Sequence, residues 1–261
     1  MSRRDLTPSI VGGLVLSLIA IWFIFSRNGV LSFSSASAQT EIDSIRQLML
    51  TSHENWSTLQ GEALTTWHLR NGGTDLVTSE FAIANSTQSR FELPTLGFMW
   101  INTSQTIYEI NNNELTYFKF TQPDIERELS LLPTTLDGVV KGDIYRHPVA
   151  MSTSSPIADY IFPVGLAQRQ GEYKILGEET VAGRKTWVIT FVLKSGGEVS
   201  ISSKYWVDQE LGNILKAEVY STERLGQLSE EMLFQWIEID AEIPEDAFAP
   251  PLDGYNETNP N

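Results

Sequence analysis

Apolar and polar side chains alternate through the C-terminal part of the chain, from Glu172 to Ile239. In the run from Arg184 to Leu193, one side of an extended chain carries large apolar residues and the other carries threonines and valines. Three more β-rich runs follow it: Glu198 to Asp208, Asn213 to Ser221 and Leu228 to Ile239. Each connecting turn contains a glycine, which adopts the positive φ that tight hairpins need. The pattern predicts a four-stranded antiparallel meander.

The same period of two occurs nearer the N-terminus. A hairpin is predicted from Gly61 to Ala84, because Asn71-Gly72-Gly73-Thr74 forms a turn signal between two alternating runs. Four shorter strands are predicted after it: Ser89 to Leu93, Phe98 to Asn102, Thr106 to Ile110 and Glu114 to Phe120. These strands would extend the sheet that the C-terminal meander begins.

Apolar residues recur at helical spacing in three places before Glu172. A helix is predicted to start at Thr40, whose hydroxyl can cap its N-terminus. Two short apolar helices are predicted from Pro123 to Leu132 and from Pro156 to Leu166, and Pro163 should kink the second.

This order of elements predicts an α+β fold: one large antiparallel sheet with helices on one face, which together enclose an apolar space if the sheet curves strongly. Two arrangements remain open for its other face. Either the helix from Thr40 covers it, or one face of the sheet is an unfilled apolar pocket.

The uncharged run from Leu6 to Ser26 has about the 20 residues that a helix needs to cross a bilayer, and Arg3 and Arg4 precede it. Residues 1–26 are predicted to be a transmembrane anchor, or a signal if the chain is cleaved after Ala38. The remainder divides into a flexible linker (27–38), one domain of sheet and helices (39–254) and a disordered tail (255–261). The expected location is the cell membrane, single-pass, with the C-terminal domain extracytoplasmic, or secreted if cleaved.

Composition excludes several classes of function. A net charge of −15 disfavours nucleic acid, and the absence of cysteine excludes thiolate catalysis and cysteine-based metal sites. His53, His68 and His147 are far apart in sequence and form no metal-binding motif, and no hydrolase or nucleotide-binding motif occurs. No catalytic residue, metal or cofactor is predicted.

Seven Trp, eight Tyr and twelve Phe supply large apolar surfaces. Such residues fill a core or line a ligand cavity, and the sequence leaves both possibilities open. The candidate lining residues lie on the strands and on the short helices: Trp187, Ile189, Phe191, Phe81, Ile83, Ile125, Leu129 and Ile161.

Several motifs resemble those of a known superfamily. The sequence Val181-Ala182-Gly183-Arg184 precedes an apolar strand, and Tyr205-Trp206-Val207-Asp208, Leu211-Gly212 and Ile214-Leu215-Lys216 follow it. This pattern, and the ending from Ile243 to Phe248 with Pro250 and Gly254, resembles that of the bacterial lipoprotein-carrier (LolA-like) superfamily. That superfamily also includes periplasmic sensors that act on envelope-stress anti-sigma factors.

The resemblance implies a strongly curved antiparallel half-barrel sheet with helices covering its concave face, and an apolar cavity that holds acyl chains or a lipid-like ligand. The expected function is that of a non-enzymatic, membrane-anchored extracytoplasmic protein that binds a hydrophobic small molecule, lipid or lipoprotein. The alternative is a signalling module that docks on another envelope protein such as an anti-sigma factor. In soluble carriers of this type, a basic residue followed by proline after an early strand helps to close the empty cavity. The corresponding stretch here, Ala84-Asn85-Ser86, has neither residue, so we do not expect the cavity to close in that way.

Overall fold

The computed structural model describes residues 35–103, 105–122, 124–138, 144–195, 198–221 and 226–258. The anchor expected over residues 1–26 lies outside these ranges. Within them, no helix combines the length and hydropathy that a membrane span requires. The chain divides into residues 1–40 and the compact unit Glu41–Asn261, which contains all of the strands.

One open, curved sheet of twelve strands dominates the structure. Its strands are β1 Thr58–His68, β2 Thr74–Ala84, β3 Gln88–Leu93, β4 Phe98–Thr103, β5 Thr106–Asn111, β6 Thr116–Thr121, β7 Glu172–Val181, β8 Arg184–Ser195, β9 Glu198–Asp208, β10 Ile214–Ser221, β11 Gln227–Ile239 and β12 Asn256–Glu257. The sequence-predicted strands are therefore confirmed.

The two meanders meet in the middle of the sheet. The strand order is β12-β6-β5-β4-β3-β2-β1-β11-β10-β9-β8-β7, and all neighbours are antiparallel except β12 and β6. Strand β1 pairs with β11, with a bulge between Glu62 and Ala63. The first and last long strands of the chain therefore join its halves into a single sheet.

Five helices accompany the described part of the sheet: α1 Ser35–Leu50, α2 Ile125–Ser130, α3 Pro148–Met151, α4 Ala158–Ile161 and α5 Val164–Ala167. Helix α1 begins within the stretch predicted to be a linker, where Ala36 and Ala38 have high helix propensity. The kink predicted at Pro163 is confirmed, because this residue separates α4 from α5.

The helices pack on the same face of the sheet, which we call the inner face. The Arg46 Nε of α1 donates to the Ala167 carbonyl at 3.0 Å, and the Asn213 amide, beside β10, donates to the Ile161 carbonyl. Phe81 and Phe234 from the strands join α1 and α4 in one core. The arrangement in which the N-terminal helix covers the opposite face is therefore wrong.

Part of the outer face is covered by the C-terminal segment. Met99, Ile101 and Ile110 form a second core there, against which Leu252 and Tyr255 pack. The chain then adds β12 in parallel to β6, and the Thr258 amide donates to the Tyr117 carbonyl at 2.8 Å. The tail predicted to be disordered from residue 255 is thus ordered through Thr258, because its apolar residues anchor it and the edge of β6 supplies backbone partners.

Trp206 and Val188, on the outer face of the C-terminal half, are covered by neighbouring side chains. Trp206 is only 1% exposed because the ammonium groups of Lys204 and Lys216 lie 4.2 and 4.3 Å from its ring. Its indole nitrogen donates to Glu179 at 2.7 Å, and Val188 pairs with it in register. Long lysine stems can cover apolar surface in this way while their charges stay in water.

Candidate ligand groove

The eight residues predicted to line a cavity lie in the core. Phe81, Ile83, Phe191, Ile189, Ile125 and Ile161 are buried, and Trp187 and Leu129 are partly buried and pack against them. The structure thus brings them together as core residues, and none lines the groove described next. Their contact with a ligand remains a prediction.

An open groove of about 590 Å³ lies on the inner face, at one end of the C-terminal half. Its floor is a row of side chains in register across four strands. Trp67 on β1 is opposite Glu230 on β11, Glu230 is opposite Val219 on β10, and Val219 is opposite Ser203 on β9. Neighbouring strands lie about 4.8 Å apart, so the row gives the groove a continuous floor.

The opposite wall is formed by the segment that contains α4 and α5. Pro156, Asp159, Tyr160, Leu166 and Arg169 from this segment line the groove. The Tyr160 hydroxyl donates to Glu230 Oε1 at 3.0 Å, which joins the wall to the floor. Because each helix has only four residues, the wall is short and leaves the ends of the strands uncovered.

Side chains outside the groove fix the position of the wall. Gln168 accepts a hydrogen bond from the Tyr145 amide at 2.9 Å and donates to the Val164 carbonyl at 2.8 Å. Arg146 pairs with Asp159 at 2.8 Å, which balances the charge of that groove carboxylate. The wall is therefore held in place before any ligand arrives.

Two further charged groups face the groove. Glu230 is half-buried, and its Oε1 accepts the Tyr160 hydroxyl. The Arg169 guanidinium lies 6.0 Å from the Phe191 ring centre, and we find no carboxylate partner for it among the described residues. The Arg169 carbonyl accepts from the Tyr173 hydroxyl at 3.1 Å and from Arg46 Nη2 at 3.4 Å, so its backbone is well anchored.

Tyrosine hydroxyls supply hydrogen-bond donors between these charges. Burial raises the pKa of Tyr160, and the neighbouring Glu230 charge raises it further. Burial also raises the pKa of Tyr205. The buried Ser203 hydroxyl approaches that of Tyr205 without a well-aligned hydrogen bond. Both tyrosines therefore remain protonated at neutral pH.

A buried histidine, His147, and a partly buried one, His53, lie together elsewhere in the helical layer. The ring centres of His53 and His147 are 5.1 Å apart, and His147 stacks on Phe162 at 3.8 Å. His147 Nδ1 accepts from the Val149 amide at 3.2 Å and caps α3. Burial lowers the pKa of both imidazoles, so they are neutral at pH 7. In the described ranges no three ligating side chains are grouped as a metal site.

The structure is thus an open antiparallel sheet with short helices and a groove on one face. No protein-family model matches the chain, and no curated protein matches it. Solved structures do resemble it. An uncharacterized conserved protein from Thermus thermophilus is 7% identical with a TM-score of 0.47, and the match covers 84% of this chain and 98% of that one.

Two other similar solved structures are of named proteins. The LolA superfamily protein NE2245 from Nitrosomonas europaea is 13% identical with a TM-score of 0.32, covering 78% of this chain and 97% of that one. MucB, in the Pseudomonas aeruginosa MucA/MucB complex, is 15% identical with a TM-score of 0.42, covering 79% of this chain and 61% of that one. One of these similar structures thus comes from the LolA superfamily, whose motifs the sequence also resembles.

Proposed function

We propose that this chain is a non-enzymatic extracytoplasmic binding protein, held at the membrane by residues 1–26, that takes an amphipathic lipid or lipoprotein acyl chain into the groove. The observation that carries the proposal is the groove itself. Its volume of about 590 Å³ falls within the range of roughly 300 to 1,000 Å³ typical of small-molecule sites.

The groove offers apolar and polar surfaces side by side. Trp67, Leu166 and Val219 provide an apolar surface for hydrocarbon, and each CH₂ group buried there contributes about 0.8 kcal/mol. Tyrosine and serine hydroxyls along the same groove provide partners for polar groups. The buried Ser203 hydroxyl has no hydrogen-bond partner among the described residues, and a purely hydrocarbon ligand would leave it unpaired, which favours a ligand with a polar end.

The predicted lining residues enter this proposal through Phe191. This residue is opposite Ser203 in the sheet register and lies beneath Arg169, so it is adjacent to the groove floor. An acyl chain longer than the groove would reach Phe191 first and the buried Ile161 and Ile189 only if the helices α4 and α5 moved outward. We propose that the helix-bearing face is the concave one.

Native mass spectrometry of the full chain, purified from its membrane, tests the proposal. We expect a bound amphipathic molecule in the wild type and at least a tenfold lower occupancy in Val219→Trp, whose indole fills the groove. The matched control is Val192→Trp on the half-buried outer side of β8, which should retain the ligand. Absence of any bound molecule, or full occupancy in Val219→Trp, would overturn the proposal.

A second candidate function is a signalling module that docks on an envelope protein. Strand β12 pairs with β6 only at Thr116 and Tyr117, and no described residue pairs with Phe118 to Thr121 on that edge. The rings of Phe118 and Phe120 lie 5.3 Å apart there, and Phe120 is 38% exposed. Exposed strand edges recruit extended peptides.

A photo-crosslinker in place of Phe120 discriminates between the two functions. A stoichiometric protein adduct in cells that persists in Val219→Trp would favour the signalling module. If Phe120 gives no adduct while Val219→Trp abolishes ligand occupancy, the binding protein is favoured.

A further inference from the structure

Two opposite charges face the groove without pairing with each other. Glu230 uses one carboxylate oxygen for the Tyr160 hydroxyl, and the Arg169 guanidinium lies over the Phe191 ring, 6.0 Å from its centre. Among the described side chains, no ion pair of 4 Å or less joins either group to an opposite charge. Both nevertheless act on the same hydroxyls, because Glu230 raises the pKa of Tyr160 and Tyr205 whereas Arg169 lowers it. The two charges therefore flank one space.

The sheet register explains why they do not meet. Glu230 is on β11, and Arg169 lies over Phe191 on β8, which is opposite Ser203 on β9. Val219 and Ser203 lie between the two ends of this row. Three strand spacings of about 4.8 Å separate β11 from β8, so the charges sit toward opposite ends of the floor.

We infer that the groove selects a zwitterionic ligand, with its acidic group bound by Arg169 and its ammonium group bound by Glu230. This inference rests on the proposed function, because it assigns the polar end of the amphipathic molecule. Trp67 is opposite Glu230 on the neighbouring strand, so its ring can also contact the bound ammonium.

The alternatives are disfavoured by electrostatics. A ligand that displaces water from the groove leaves any charge it does not match unpaired and partly desolvated, which is costly. A neutral ligand leaves both Arg169 and Glu230 in that condition. An anionic ligand matches Arg169 but is repelled by Glu230, and a cationic ligand shows the reverse pattern. Only a zwitterion matches both, so discrimination comes from repulsion as well as attraction.

Binding of three lysolipids with the same acyl chain tests the inference on the purified full chain. The lipids are zwitterionic lysophosphatidylethanolamine, anionic lysophosphatidylglycerol and neutral monoacylglycerol. We expect the zwitterionic lipid to bind at least tenfold more tightly than either of the others, measured by native mass spectrometry titration. Binding of all three with equal affinity would overturn the inference and leave the proposed function intact. Binding of none would overturn both.

Two variants assign the contacts. Glu230→Gln should weaken the zwitterionic lipid at least fivefold and strengthen the anionic one, because it removes the repulsion. Arg169→Gln should weaken both phosphate-bearing lipids and leave the neutral one unchanged. Arg127→Gln, an exposed arginine on α2, is the matched control and should change none of the three affinities. Parallel losses for all three lipids in both variants would show a structural role and contradict the assignment.

Discussion

The two halves of the sheet differ in how completely they are covered. In the N-terminal half, β4 buries Met99, Trp100, Ile101 and Asn102 in succession, because helices cover the inner face and the C-terminal segment covers the outer one. In the C-terminal half, strands β9, β10 and β11 extend beyond the one-turn helices α4 and α5. The uncovered part of their inner face forms the floor of the groove. Short helices therefore leave part of a wide sheet uncovered, and a site remains open wherever no other segment packs over the sheet.

The largest effect on stability is expected from removing a buried carboxylate at the end of β9, in the open half. Asp208 is buried and accepts from the amides of Glu210 and Leu211 at 2.9 Å and from the Arg184 guanidinium. Asp208→Ala leaves these donors unpaired, so we expect a loss of about 3 to 5 kcal/mol in the free energy of unfolding, measured with urea. Lys119→Met, which removes the exposed Lys119–Glu257 pair, should leave the free energy of unfolding nearly unchanged, because water screens that pair. Equal losses would contradict this account.

A pair of truncations compares a position sealed under the C-terminal segment with a position in the open groove. Ile101→Ala empties a fully buried position under the C-terminal segment and should cost about 2 to 5 kcal/mol. Val219→Ala enlarges a groove that is already open to water, so it adds no closed cavity and should cost about 1 kcal/mol or less. Urea unfolding of both variants measures the difference. A Val219→Ala loss as large as that of Ile101→Ala would show that the groove is closed in solution.

A smaller, pH-dependent effect is expected in the helical layer. Burial holds the pKa of His147 well below 6.5, with His53 adding to the effect, so the unfolded chain binds the proton more readily. Stability should therefore fall as the pH drops below about 6.5, by up to about 1.4 kcal/mol per pH unit for one proton. The Glu54 carboxylate lies 4.0 Å from Nε2 of His53 and raises the pKa of that imidazole, which partly opposes the effect of burial on His53.

The test is the urea stability of wild type and His147→Asn at pH 7.5 and 5.5. Asparagine retains an acceptor for the Val149 amide but does not titrate, so the variant should lose less stability on acidification. An unchanged pH dependence would exclude His147 as its source.

The strands were predictable because their alternation is local. The C-terminal meander and the first hairpin follow from period-two runs and glycine turns, and the predicted strands agree with the structure. Strand β7 was missed because most of its side chains are exposed. The sequence did contain a signal in Gly183, because a glycine suits the two-residue turn between β7 and β8, where Ala182 and Gly183 both have positive φ.

The groove was not predictable from local patterns. Trp67 and Glu230 become neighbours only through the pairing of β1 with β11, and nothing in either segment specifies that register. One signal did exist: Glu230 shares the inner face with the buried Met232 and Phe234, and a carboxylate on an apolar face is unusual. Alternation also could not show that Val188 is buried on the outer face, because its cover, Trp206, comes from another strand.

Hydrogen exchange of the full chain, with and without saturating lysophosphatidylethanolamine, tests the central claim most directly. If ligand enters the open half, protection should increase in residues 156–169 and along β9 to β11, and should stay unchanged in β3 to β5. Equal protection across both halves, or no change in the groove segments while the lipid is bound, would contradict the account.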